Sequence, residues 1–234
     1  MNVLELFRRL SLGELSNIAI GNNGAGSIKE TDKAKVVLHA NSTMRKLYTR
    51  FNIRQNELIL ETTNFRTNYP LHPQHALSQK SEDNPHDCFI MDSVENPFTG
   101  DFVRPLEAYD ISGQKYAIND DGTHFSLYYT KPEVITVLNP LLGRIYSVVY
   151  QALPATLIDG DEDQEIEIPA VLETALQSGI AGEIYKNMNT QESAANAAQH
   201  LQNYEIECAR VEENDLLART YSHTGSKFEM NGWI

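Results

Sequence analysis

Three carboxylates at alternate positions, Asp159, Asp161 and Asp163, open an acidic stretch that ends at Glu167. Their spacing is that of the first ligands of a calcium-binding loop, whose side-chain oxygens converge on one ion. Such a loop needs glycine at its sixth position and glutamate at its twelfth, where this chain has glutamine and alanine. We therefore expect a solvated acidic loop without a metal.

Two pairs of possible zinc ligands lie upstream, His72 with His75 and His86 with Cys88. Imidazole and thiolate are common ligands of Zn²⁺, but neither pair is accompanied by a second pair at a recognisable spacing. No Ser, His and Asp set stands out, and no two carboxylates are singled out as an acid and a base. The sequence predicts no catalysis, no metal and no cofactor.

The glycine-rich segment from Gly21 to Ser27 has a passing likeness to a phosphate-binding loop. Its last residue is serine where such a loop carries lysine, and the residues before it favour a helix and not a strand. The pattern therefore predicts a flexible connection between helices.

Composition and charge exclude several classes of protein. The chain has 234 residues, 41% of them hydrophobic, with two cysteines and a formal net charge of −13. The surplus of carboxylates opposes sequence-independent binding of nucleic acid and of acidic membranes. Because the N-terminal segment contains Glu5 and no long apolar run, neither a signal peptide nor a membrane span is expected. The composition predicts a globular protein of a reducing cytoplasm.

Helical patterns dominate the N-terminal region. Asn2 with Glu5, and Ser11 with Glu14, have capping-box spacing, which predicts two short helices with a bend near Ser11. A third helix with a broad apolar face is expected to end at Phe51.

The middle of the chain has the two-residue period of strands, separated by turn clusters. Ser112-Gly113 marks a tight hairpin turn, and the segment from Tyr69 to Pro97, rich in proline and histidine, predicts a long loop. The predicted strands are Leu58–Thr62, Phe102–Tyr109, Lys115–Ile118, His124–Thr130, Val134–Val137 and Arg144–Ala152.

The longest helical periodicity follows and predicts two helices in a tight hairpin. Asn189 with Glu192 is the predicted cap of the second helix. In the first helix, Ala175, Gly179 and Gly182 make one side small, which favours close approach of a neighbouring helix or of a second protomer.

These patterns together predict an α+β protein. It consists of an antiparallel bundle of about four helices with an inserted β-rich subdomain and an extended C-terminal tail. The predicted regions are 1–57 for the N-terminal helices, 58–167 for the β-rich insertion, 168–219 for the helical hairpin and 220–234 for the tail.

The tail ends in four large apolar residues, Phe228, Met230, Trp233 and Ile234. Aromatic residues dominate the energetics of many interfaces, so the tail could anchor a partner. Folding back onto its own domain is the alternative.

Several segments, in their order, resemble the head-to-tail connector proteins of tailed bacteriophages, especially short-tailed phages. They are LSLGELSN before a glycine-bearing loop, RKLYTRF, LILETTNFRTNYPL, VITVLNPLLGRIYSVVYQA, IPAVLETALQSGIAGEIY, ESAANAAQHLQNYEIECARVEENDL and the ending in which Phe228 is followed by GWI.

The resemblance implies a dodecameric ring beneath the portal, with a tail tube or nozzle protein below it and genomic DNA passing through the lumen. It also implies that the C-terminal tail docks on the portal protein and that the assembled protein lies in the neck of the virion. The segment from Tyr69 to Pro97 has no counterpart in the family, and a contact with the tail or nozzle is one role for it.

The sequence is therefore interpreted as a structural head-to-tail adaptor and not an enzyme. A tail-tube or stopper subunit is a related alternative. A small acidic hydrolase with a divalent metal near Asp161 is an alternative of another class.

Overall fold

The computed structural model describes residues 1–63, 65–80, 86–122, 126–188 and 190–217, and the chain divides into two units, Met1–Ile168 and Pro169–Ile234. The α-helices in the described residues are α1 (Val3–Leu12), α2 (Lys33–Arg50), α3 (Glu173–Lys186) and α4 (Gln191–Glu213). The strands there are β1 (Gln55–Glu61), β2 (Asn68–Pro70), β3 (Phe102–Asp110), β4 (Lys115–Ile118), β5 (Ser126–Lys131), β6 (Val134–Thr136) and β7 (Ile145–Ala152).

Helix α1 begins at the predicted cap. The Asn2 side chain accepts a hydrogen bond from the Glu5 N–H at 2.9 Å, which satisfies one of the donors that a helix start leaves unpaired. The predicted second helix after Ser11 is wrong, because Ser11 lies buried in the last turn of α1 and turns follow from Gly13 to Gly21. Its hydroxyl bonds to the next loop instead of capping a helix.

Helix α2 ends where the sequence predicted, with Phe51 as its C-terminal cap. The fully buried Gln151 of β7 donates from Nε2 to the carbonyls of Tyr48 and Phe51, the latter at 2.9 Å. Its Oε1 accepts from Arg104 Nε at 2.7 Å. One glutamine thus joins the end of α2 to the sheet by satisfying helix carbonyls.

The seven strands form one sheet in the order β1-β7-β3-β4-β5-β6-β2. All six predicted strands are confirmed, with ends within three residues of the prediction. The β3–β4 hairpin is also confirmed, since the two strands pair antiparallel and Gly113 takes a positive φ of 80° in the turn between them. Strand β2 was missed because its three residues, one of them proline, are too short to show a period.

Strand β7 lies at the centre of the largest antiparallel pairing, between β1 and β3. Its residues Tyr146, Val148 and Tyr150 are each at most 2% exposed, so one face of the strand points into the core.

The segment from Tyr69 to Pro97 is the predicted long connection, since its described residues after β2 form only two short 3₁₀-helices, but it is packed into the core. Tyr69, Phe89 and Ile90 are fully buried in the core of the sheet, and the rings of Tyr69 and Phe89 meet edge to face at 5.3 Å. Met91 donates its N–H to the carbonyl of Ile59 at 2.8 Å, so this segment covers the outer edge of β1. Its apolar residues are too widely spaced to give a strand or helix pattern, but the hydrophobic effect favours their packing in the core.

The second unit contains the predicted helical hairpin. Its second helix is capped by Thr190 and Ser193, whose side chains each accept from the backbone N–H of the other, at 3.1 and 3.0 Å. The predicted pair of Asn189 with Glu192 is therefore one residue too early, and Asn189 itself lies outside the described residues. Phe228, Met230, Trp233 and Ile234 of the tail also lie outside them.

The α+β class is confirmed by four helices and a seven-stranded sheet within the described residues. The antiparallel four-helix bundle is not confirmed and stays a prediction. In the part of the chain that the structure describes, no helix combines the length and the hydropathy needed to cross a membrane.

Candidate functional site

The acidic loop packs against the start of α1. Val3 and Leu4 donate their backbone N–H groups to the carbonyls of Gln164 and Glu162, at 3.1 and 3.0 Å. The Glu162 carboxylate pairs with Lys33 at 2.5 Å. Because the first N–H groups of a helix lack partners within it, these carbonyls cap α1. The backbone of this loop therefore stabilises the first unit.

The three aspartates that suggested a calcium loop, Asp159, Asp161 and Asp163, are all exposed. Within the described residues, no group of three or more His, Cys, Asp or Glu side chains is arranged to hold a metal ion.

The histidines lie together but are engaged in structural contacts. His75 Nδ1 lies 3.0 Å from the Asp87 carbonyl and its Nε2 lies 3.2 Å from Gln74 Nε2. Its ring stacks on Phe89 at 4.6 Å and meets the His86 ring edge to face at 5.5 Å. Burial lowers the pKa of His75, although its hydrogen bond to the Asp87 carbonyl opposes that shift. With both ring nitrogens paired, His75 acts as a core residue of this segment.

The glycine-rich loop is tied to α1 and is not a free connection. Ser11 Oγ donates to the Gly21 carbonyl at 2.7 Å and accepts from the Gly26 N–H at 3.0 Å. Gly26 has a φ of 81°, a conformation in which a side chain is strained. The glycines here serve a tight local turn.

A cleft of about 510 Å³ lies beside β1 and contains two hydrogen-bonded carboxylates. Asp101 accepts from the Tyr150 hydroxyl at 2.7 Å and from Asn56 Nδ2 at 2.8 Å. Asp92 accepts from the amide and the hydroxyl of Ser78, at 2.7 and 2.5 Å.

The titration of these groups follows from the same contacts. Burial raises the pKa of the Tyr150 hydroxyl, and the hydrogen bond to Asp101 raises it further. Burial alone would raise the pKa of Asp92, but its hydrogen bonds, first that from the Ser78 hydroxyl, lower it. Tyr150 is thus held protonated as a donor and Asp92 ionised as an acceptor. Their arrangement links neighbouring loops together.

The small face of α3 is buried at Ala175, Gly179 and Gly182. A Cβ atom on Gly182 would lie 2.8 Å from Leu201 Cγ and Cδ2 of α4 and 3.3 Å from the Leu201 backbone N. At Gly182, therefore, glycine permits close approach of the two helices of the hairpin. A contact of this face with a second protomer stays a prediction.

One end of the sheet carries an exposed apolar surface, which we call the apolar tip. It lies where β1 and β3 end and β7 begins, since Glu61 pairs with Ile145 and Asp110 with Tyr146 at this end. Five large apolar side chains project from the three loops there, each at least 58% exposed. They are Phe65, Ile111, Leu138, Leu141 and Leu142.

The sequence contains a signal for this surface in the connection that precedes β7. Leu138, Leu141 and Leu142 stand in the connection between two strands, where polar turn residues are the rule. In the resemblance to connector proteins, these leucines belong to the segment VITVLNPLLGRIYSVVYQA.

No known protein-family model matches the chain, and no curated protein matches it.

Proposed function

We propose that this protein is a structural adaptor in the neck of a tailed bacteriophage. In this proposal it forms a dodecameric ring that joins the portal protein to the tail tube or nozzle and lets the genome pass through its lumen. The order of elements carries the proposal, because two helices, an inserted β-sheet and a helical hairpin follow one another as the resemblance to connector proteins implies.

Two further observations support a role in assembly. His75 and the carboxylates of the cleft make structural hydrogen bonds, as described above, which favours an architectural role over a catalytic one. The net charge of −13 suits a conduit through which DNA passes without being held.

The portal contact is assigned to residues 220–234, with Phe228 and Trp233 as aromatic anchors and Met230 and Ile234 beside them. Truncating a buried tryptophan loses about 3 to 5 kcal/mol, so Trp233→Ala should weaken portal binding by a factor of about a hundred or more.

The test measures oligomeric state by native mass spectrometry and binding to purified portal rings by sedimentation. Wild-type chain should assemble as rings on portals, and Trp233→Ala should lose binding while its melting temperature stays unchanged. Lys227→Ala, a polar change in the same tail, serves as the matched control and should bind normally.

Three results would contradict the proposal. Assembly into open tubes without portal would favour a tail-tube subunit. A monomer whose stability rises with added Mg²⁺ or Ca²⁺ would favour the metal-dependent hydrolase. A large loss of stability in Trp233→Ala with portal binding retained would place the tail on the protein's own core.

A further inference from the structure

We infer that the apolar tip is the docking surface for a separate protein whose facing surface is apolar and uncharged. The identity of this partner rests on the proposed function, which makes it the tail tube or nozzle protein. The inference comes from the geometry of the described residues of three loops, 62–63 with 65–67, 111–114 and 138–143.

Two of the three loops of the apolar tip, those that follow β1 and precede β7, are joined by hydrogen bonds. Thr62 Oγ1 donates to the Leu141 carbonyl at 2.5 Å, and the Gly143 N–H donates to the Thr62 carbonyl at 2.9 Å. The Val137 N–H donates to the Thr67 carbonyl at 2.8 Å. A surface whose backbone is already ordered loses little conformational entropy on binding, which favours recognition.

Phe65 shows the most unusual conformation in this region. Its side chain is fully exposed and its φ is 67°, in the left-handed region that bulky residues rarely adopt. An apolar ring held out into water on a strained backbone has no stabilising role in the free chain. Strain of this kind is concentrated at functional sites.

Charge and area match the core of a protein interface. Arg66 is the only charged residue in the three loops, and it pairs with Asp87 at 3.0 Å. Depletion of charge is typical of interface cores. Burying the five apolar side chains would remove on the order of 600 Å² from water, close to the roughly 800 Å² that each partner gives to a standard interface.

The same observations favour a separate protein over a second copy. In the proposed ring the copies meet one another through surfaces of their own, and a further surface must remain for the protein on the tail side. The tip also lies at the end of β1 and β7 that is remote from α2, whose C-terminus is joined to the opposite end of β7 by Gln151. It is therefore a distal end of the first unit.

The experiment compares variants of the tip with a matched surface control. Phe65→Asn removes the ring and places a residue that tolerates a positive φ, and the double variant Leu141→Ser with Leu142→Ser removes two further anchors. Val94→Ser is the control, because Val94 is 85% exposed but lies outside the three loops. Each protein is mixed with purified nozzle protein, alone and after assembly on portal rings.

The tip variants should bind nozzle protein about thirtyfold more weakly or worse, with unchanged melting temperature and unchanged portal binding. The control should behave as wild type. Failure of the wild-type chain to bind portal rings would refute the proposed adaptor function. Unchanged binding of the nozzle protein by the tip variants would refute the docking surface.

Two other occupants are separate outcomes. Concentration-dependent self-association in analytical ultracentrifugation that the tip variants abolish would assign the surface to a second copy. Flotation with phosphatidylcholine vesicles that the tip variants abolish would assign it to a membrane. Either result would overturn the inference.

Discussion

Replacing Gln151 by leucine should strongly destabilise the first unit. Leucine has a similar volume but offers neither the donor that bonds the carbonyls of Tyr48 and Phe51 nor the acceptor for Arg104 Nε. Gln151 is fully buried, so water cannot replace these partners without opening the contact between α2 and β7.

The magnitude follows from which groups lose their partner. The Phe51 carbonyl keeps the Ile53 N–H at 2.9 Å, and the exposed Arg104 can turn to water, so the Tyr48 carbonyl bears most of the loss. A buried polar group without its partner costs about 1 to 3 kcal/mol, and the lost bond from the arginine adds about 1 kcal/mol. We expect a total of about 2 to 4 kcal/mol, which lowers the melting temperature by about 5 to 15 °C in a unit of this size.

The measurement is urea and thermal unfolding followed by circular dichroism. Gln114→Leu is the matched control, since Gln114 is exposed in the β3–β4 turn and the same change there should stay within about 0.5 kcal/mol. A Gln151→Leu protein as stable as wild type would refute the reasoning that this side chain joins α2 to the sheet.

Three further changes test other parts of the structure. Gly182→Leu should lower the free energy of unfolding by about 1 to 3 kcal/mol through overpacking against Leu201, and Gly182→Ala should lower it less because alanine recovers about 1 kcal/mol of helix propensity. The midpoints of denaturant unfolding measure both effects, and an unchanged midpoint for Gly182→Leu would show that this face is open. Burial lowers the pKa of His75 below its ordinary value of 6.5, so the stability gained from its neutral ring is complete above that pH and falls as the pH drops through the folded-state pKa. His75→Gln should lack this loss of stability when unfolding is compared at pH 7.5 and 5.0. A variant with the same pH profile as the wild-type protein would contradict the assignment. Asp161→Asn with Asp163→Asn should change the melting temperature by less than about 2 °C with or without Ca²⁺, because both carboxylates are exposed, and a calcium-dependent shift in wild-type chain alone would reinstate the metal loop.

Regular periodicity predicted most of the elements. The six strands and the hairpin helices have patterns several residues long, which made them visible in the sequence. Caps were harder to assign, because Thr190 with Ser193 offers the same spacing as Asn189 with Glu192 and only the folded backbone selects between them.

Features that depend on distant residues could not be predicted. The burial of Phe89 and Ile90 requires the edge of β1, and the role of Ser11 requires the loop that returns to it after ten to fifteen residues. The apolar tip depends on three connections that the sheet brings to one end. No local pattern encodes such convergence, although leucines at turn positions hinted at it.

The contact between α1 and the acidic loop affects how the first unit folds. Residues 2 and 165 form a β-bridge, and the Ile166 N–H donates to the Met1 carbonyl at 2.7 Å, so the beginning of this unit is completed only by its end. At about 5 to 20 residues per second, a ribosome needs on the order of 10 to 30 s to supply that end, and until then the N–H groups of Val3 and Leu4 lack their partners in the acidic loop. Contacts of such long sequence separation also slow folding, because the chain must close a large loop first. Joining the two adjacent ends by a short linker and opening the chain elsewhere should therefore accelerate folding of this unit.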